Sequence, residues 1–124
     1  MSAISVHPSD LPIEKTALFE SRSGELAAFT VDFGSAKAGL VMGPGLFAGL
    51  PDDACQCPHW GILVKGQWQV PFTDGRTETV RAGEAYYLPP GHRFEVVEDS
   101  EYIEFSPTKE LTETYTVVAR NTRP

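Results

Sequence analysis

Alternation of apolar and polar positions is clearest in the middle of the chain. Gln67 to Phe72 puts Trp68, Val70 and Phe72 on one face of a period-two strand. Asp74-Gly75 then supplies a hairpin turn, and Thr77 to Arg81 alternates back. Upstream, Cys55 to Lys65 is the densest strand signal, apolar with β-branched and aromatic members, and Gly66 closes it. Leu26 to Phe33 and Gly39 to Met42 read as earlier strands. Between them and Cys55 lies a Gly- and Pro-rich loop over 43–53. Ala85 to Leu88, Phe94 to Val97 and Tyr102 to Phe105 complete the series, with Gly83 and Pro89-Pro90-Gly91 as turns. Turns every 8 to 12 residues or so are the spacing of a sandwich or barrel.

The two ends read differently. Residues 1–24, with Pro8, Pro12 and Gly24, form an arm that wraps the domain or pairs at its edge. Residues 107–124 form a closing element. Ser106-Pro107 is a helix start, with a hydroxyl for the N-cap and a proline in the first turn. Leu111, Tyr115 and Val118 recur at helical spacing, with Glu110 near the start and Arg120 near the end. The β-branched Thr114, Thr116, Val117 and Val118 make a final strand the competing reading. That leaves residues 25–106 as the body, and 124 residues suit one domain.

Composition narrows the partners. Eleven glycines and ten prolines favour short strands over long helices. A net charge of −7 opposes binding to phosphate backbones or anionic lipid, which argues against nucleic acid and membrane. No apolar run approaches the roughly 18 residues of a membrane span, and residues 1–10 lack a signal pattern, so a cytoplasmic protein is expected. Cys55 and Cys57 are one residue apart, with Cα atoms about 6.6 Å apart on an extended strand, and are read as reduced thiols.

Two blocks resemble the two motifs of the cupin superfamily. The first motif runs His, any, His, three or four residues, Glu, six residues, Gly. Anchored on Gly66, its Glu position falls on His59, its second His on Cys55 and its first His on Asp53. The second motif runs Gly, five residues, Pro, any, Gly, two residues, His. Gly83, Pro89 and Gly91 match it, Phe94 occupies its His position, and His92 stands two residues earlier. The spans Cys55-Gln-Cys57-Pro-His59-Trp60-Gly61 and Tyr86-Tyr87-Leu88-Pro89-Pro90-Gly91-His92 look like a subgroup of small single-domain bacterial cupins. The resemblance covers roughly residues 38–106 and implies an all-β double-stranded β-helix, a jelly-roll barrel. Its usual metal ligands are replaced.

Cys55, Cys57 and His59 share one parity and face the interior together on an extended strand, and His92 keeps the inward parity. Two thiols and two imidazoles suit a divalent transition metal, zinc first, with iron or copper as alternatives. A straight strand would hold Cys55 and His59 about 13 Å apart, so convergence needs a bend, with Pro58 and Gly61 as the places for it. A metal-free pocket and hydrogen-bonded structural histidines are the competing readings.

Trp60, Trp68, Tyr86 and Phe94, with Tyr87, are candidate pocket walls or core and interface aromatics. Glu84, Glu95, Glu98, Asp99 and Glu101 read as a solvated face. Three functions follow: a metal-dependent small-molecule enzyme, a small-ligand binding or sensing module without metal, and a thiol role if Cys57 is activated by His59. Unpaired sheet edges make a homodimer the expected assembly.

Overall fold

The computed structural model describes residues 4–122. Residues 1–3 of the arm and 123–124 of the C-terminal segment lie outside them. The strands are β1 (Ile13–Lys15), β2 (Phe19–Leu26), β3 (Phe29–Ala36), β4 (Val41–Met42), β5 (His59–Pro71), β6 (Thr77–Arg81), β7 (Ala85–Leu88) and β8 (Phe94–Pro107), followed by the helix α1 (Thr108–Asn121). They form one antiparallel sheet in the order β1-β2-β3-β8-β5-β6, with β4 paired to β8 and β7 paired to β5.

β5 and β8, at 13 and 14 residues, are long enough to serve both layers of a sandwich. One half of β5 pairs β7 and the other pairs β6, while β8 gives one half to β4 and the other to β3. The register between β5 and β8 slips repeatedly between Leu63 and Trp68. Gly66 sits in this bulge with φ +99°, and a Cβ there would meet Asp99 O at 2.6 Å and Ser100 Cα at 2.8 Å. Gly66 therefore bends β5 without ending it, and the two strands read on either side of it are one. The stretches read at 94–97 and 102–105 are likewise the single strand β8.

Inward parity then builds the core. Leu63, Trp68 and Val70 of β5 pack with Val80, Tyr86, Leu88 and Val96. Full burial of side chains such as Leu63 and Trp68 contributes on the order of 3 kcal/mol each. The Trp68 indole N–H is satisfied by Ser100 Oγ at 3.1 Å.

The expected barrel is not what forms. The sheet is an open, cupin-like sandwich whose path ends at β1 and β6. The Gly- and Pro-rich segment after β4 contributes no strand to close it, and β4 stops after two residues. Part of the expected arm joins the sheet: β2 pairs all eight of its residues with β3.

The closing element is helical. α1 does not take Ser106 as its cap; Pro107 holds that position and makes no side-chain capping bond. The Thr108 N–H instead donates to Ala28 O at 3.0 Å. Leu111 and Val118 pack on a second small core of Phe47, Cys55 and Cys57. Asn121 Nδ2 donates to Leu46 O and Ala48 O, both at 2.8 Å, which ties the far end of the helix to the Gly-Pro loop.

Candidate metal centre

Two loops and one strand start bring the site together. The chain reverses at Asp52 and Asp53, both at positive φ, and Arg93 clamps that reversal by donating to Asp52 O (2.9 Å) and Asp53 O (3.1 Å). Cys55 follows. Its N–H donates to His92 O at 2.9 Å and its carbonyl accepts from Gly91 N–H at 2.8 Å, so the Cys55 loop is zipped to the His92 loop. β5 begins only at His59, so Cys55 and Cys57 precede the strand on which they were read. That departure from extended backbone replaces the 13 Å of a straight strand: Cys55 Sγ lies 3.6 Å from His59 Nε2.

Cys55, His59 and His92 each offer one donor atom within 4.8 Å of the others, and all three residues are buried. Cys57 is fully buried beside them, with its Sγ directed at its own neighbour's carbonyl, Pro58 O, at 3.3 Å. Both cysteines are free thiols.

The imidazoles are oriented from behind. His92 Nδ1 lies 2.7 Å from Pro89 O, which can only accept, so Nδ1 carries the proton and Nε2 is left as a lone pair. His59 Nδ1 contacts Ser106 Oγ at 2.6 Å and a Glu104 oxygen at 3.5 Å, which leaves its Nε2 toward Cys55. This is the carboxylate- and hydroxyl-backed arrangement that fixes a ligating histidine. Glu104 is held in turn by the Tyr86 hydroxyl at 2.9 Å.

Burial governs the charge state. It lowers His59 to about 4, and it does the same for His92, aided by His59 next to it. Desolvation pushes both Cys55 and Cys57 up to about 12. At neutral pH the site is therefore two neutral imidazoles and protonated thiols, and the thiolate–imidazolium pair that a reactive cysteine requires does not form. Burial also raises Glu104 to about 7 and Asp32 to about 6.

The cluster opens on a cavity of about 80 Å³. Of the aromatics named from sequence, Trp68 and Phe94 line it, edge to face at 4.6 Å. Tyr86 stands behind its wall. Trp60 is on the opposite face of the sheet, 42% exposed and stacked on Tyr87 at 5.1 Å. Met42, Asp32, Tyr102 and Glu104 also line the cavity and were not singled out from sequence. Asp32 and Glu104 are cross-strand partners on β3 and β8, a pairing that no local pattern announces. The acidic residues read as a solvated face are all exposed.

No established protein-family profile matches the sequence. No curated protein matches it either. Solved structures do. An RmlC-like cupin from Shewanella frigidimarina is 18% identical, covering 90% of this chain and 96% of that one at a TM-score of 0.62. Oxalate decarboxylase OxdC of Bacillus subtilis is 17% identical at a TM-score of 0.64, covering 86% of this chain. This chain has the cupin fold. It spans only 30% of the oxalate decarboxylase chain. A structure of FeII HppE, 11% identical, covers 84% of this chain and 60% of its own at a TM-score of 0.58. Within the cupin fold, the buried Cys/His cluster is atypical and can coordinate a metal. Among the described residues, no helix is long and apolar enough to cross a membrane.

Proposed function

We propose that this chain is a metal-binding cupin in which Cys55, His59 and His92 hold one divalent transition metal, zinc first, beside a pocket for a small molecule. The observation that carries the reading is the convergence of three buried donors, two of them imidazoles whose rear nitrogens are already engaged. Tetrahedral zinc, with Zn–S near 2.3 Å and Zn–N near 2.0–2.1 Å, needs a sulfur-to-nitrogen separation of roughly 3.5 Å. The Cys55–His59 separation is 3.6 Å. Three protein ligands leave one coordination position, the arrangement that supplies a Lewis acid to a bound oxygen. Iron and copper compete for the same thiol and imidazole donors, and HppE is described with FeII. Cys57 packs beneath α1 as a neighbour of the set. Ser106 and Glu104 hold the His59 proton on Nδ1, and Trp68 and Phe94 form the apolar wall of the pocket. Two free thiols suit the reducing cytoplasm.

A second reading, a small-ligand module without metal, draws on one observation. Among the described residues, no buried side-chain nitrogen or oxygen lacks a hydrogen-bond partner. The fully buried polar side chains among the described residues are thus satisfied without a metal. Thermal shift separates the two. Stabilisation by added zinc, iron or copper, reversed by chelator, supports the metal centre, and shifts from organic ligands alone support the module.

A further inference from the structure

The cavity beside Cys55, His59 and His92 holds two carboxyl groups and no basic side chain to balance them. Asp32 and Glu104 are cross-strand partners on β3 and β8, and both line it. Directly opposite residues stand about 5 Å apart at Cβ, and like charges placed there repel. Neutral hydroxyls hold the pair. Ser21 donates to Asp32 Oδ1 at 2.6 Å, Tyr102 to Asp32 Oδ2 at 3.3 Å, and Tyr86 to Glu104 Oε1 at 2.9 Å. A carboxylate has about four lone-pair sites, so both groups keep acceptor capacity. Among the described residues, no lysine or arginine lines the cavity or forms an ion pair with either carboxyl. Burial raises Asp32 to about 6, the direction expected of a carboxyl held without a cation. With a divalent metal on Cys55, His59 and His92 the balance stays negative: two charges on the ion against three on the Cys55 thiolate, Glu104 and Asp32.

A further polar group enters from α1. Thr114 is 2% exposed and lines the same cavity. Thr116 and Thr122 bond back to helix carbonyls, whereas the Thr114 hydroxyl has no hydrogen-bond partner among the described residues. No fully enclosed polar atom is left in that state, so this hydroxyl opens on the cavity. At about 80 Å³ the space is about half of the roughly 150 Å³ cavity that takes benzene. It suits a guest of about three or four non-hydrogen atoms.

We infer that this pocket takes a small organic cation, an amine or amidine, whose N–H groups bond Asp32 and Glu104, and that it discriminates against carboxylates. The inference rests on reading the cavity as a small-molecule pocket, and it holds for metal-free and metal-loaded protein alike. An N–H cation brings the charge and the donors that the carboxyl pair lacks, and such charge-assisted bonds are about twice as strong as neutral ones. A carboxylate guest would add a third like charge in a partly buried space.

Acetamidinium, acetamide and acetate test it, being planar, equal in number of non-hydrogen atoms and stepped in charge from positive to negative. Each is titrated at pH 8 into the full, chelator-treated chain and followed by proton–nitrogen NMR. Acetamidinium should shift the amide signals of Asp32, Glu104 and Thr114 and bind at least about tenfold more tightly than acetamide, with acetate weaker still. Asp32→Asn should cut that preference at least about threefold with circular dichroism unchanged. If Asp32→Asn does not fold, Glu104→Gln reads the same ratio. Acetamide or acetate binding there as tightly as acetamidinium overturns the inference and leaves the pocket standing. A preference undiminished in the folded variant overturns it too. Shifts at those residues from none of the three overturn the pocket reading along with it.

Discussion

Metal affinity at this centre should follow pH in a way that a surface site cannot. Binding through Cys55 expels the thiol proton, so apparent affinity rises tenfold per pH unit for as long as the free thiol stays protonated. An ordinary thiol, with a pKa near 8.5, stops contributing above that pH, and its affinity gain between pH 8 and 10 is about fourfold. The Cys55 thiol is held at about 12 by burial. The same interval should therefore give about 100-fold, or about 2.7 kcal/mol. At the acid end the sign is set by the imidazoles. Their folded values are depressed to about 4, so neither needs to lose a proton to bind metal above about pH 5. The ligands alone should therefore release one proton per metal there, instead of the three expected of a thiol and two ordinary histidines. Glu104, raised to about 7 behind His59, can add at most one more proton below that value. Competition against a chelator of known pH dependence, from pH 5.5 to 10, measures both limbs. Asp32, raised to about 6, also lines the cavity and can release a proton of its own in the acid limb, so the alkaline limb decides: a plateau above pH 8.5 would contradict the buried-thiol assignment.

Four substitutions follow from the structure. Cys55→Ser should lower metal affinity by at least about 100-fold, whereas Cys57→Ser should leave it within about threefold and cost about 1–2 kcal/mol of stability through a hydroxyl buried beneath α1; isothermal titration and urea unfolding read the two effects separately. Ser106→Ala removes the nearest partner of His59 Nδ1 and should weaken metal binding by about tenfold with helix content unchanged, measured by chelator competition with circular dichroism. Gly66→Ala places a Cβ against the β8 backbone at a positive φ and should cost at least about 2 kcal/mol in urea unfolding, with equal loss in metal-free and metal-supplied protein.

Local chemistry was the legible part of this molecule. β6 and β7 have the boundaries read from alternation, because the Asp74-Gly75 turn and the Gly83 turn are specified by their own residues. The motif spacing led to the cupin fold for a similar reason: Gly66, Gly83, Pro89 and Gly91 mark backbone geometry that only a few residue types adopt. What escaped was non-local. Whether the sheet closes depends on pairing between β1 and β6, elements more than sixty residues apart in the chain, and no alternation encodes it. Asp32 and Glu104 become neighbours only when β3 meets β8.

Ser106 shows competition between levels. Its hydroxyl and the following proline carry a helix-cap signal, but the inward parity of Tyr102, Glu104 and Ser106 on β8 commits it to His59, and the helix starts with a backbone bond to Ala28 instead. The cysteines show the reverse. Their parity on a strand was legible, but the strand begins at His59, and a loop zipped to His92 is what brings Cys55 within reach.

Elemental analysis joined to X-ray absorption at the metal edge, on protein expressed with metal supplied, tests the centre most directly. The expected result is close to one equivalent of a transition metal with one sulfur and two nitrogen neighbours. Less than roughly a tenth of an equivalent, or a first shell of oxygen alone, would contradict it.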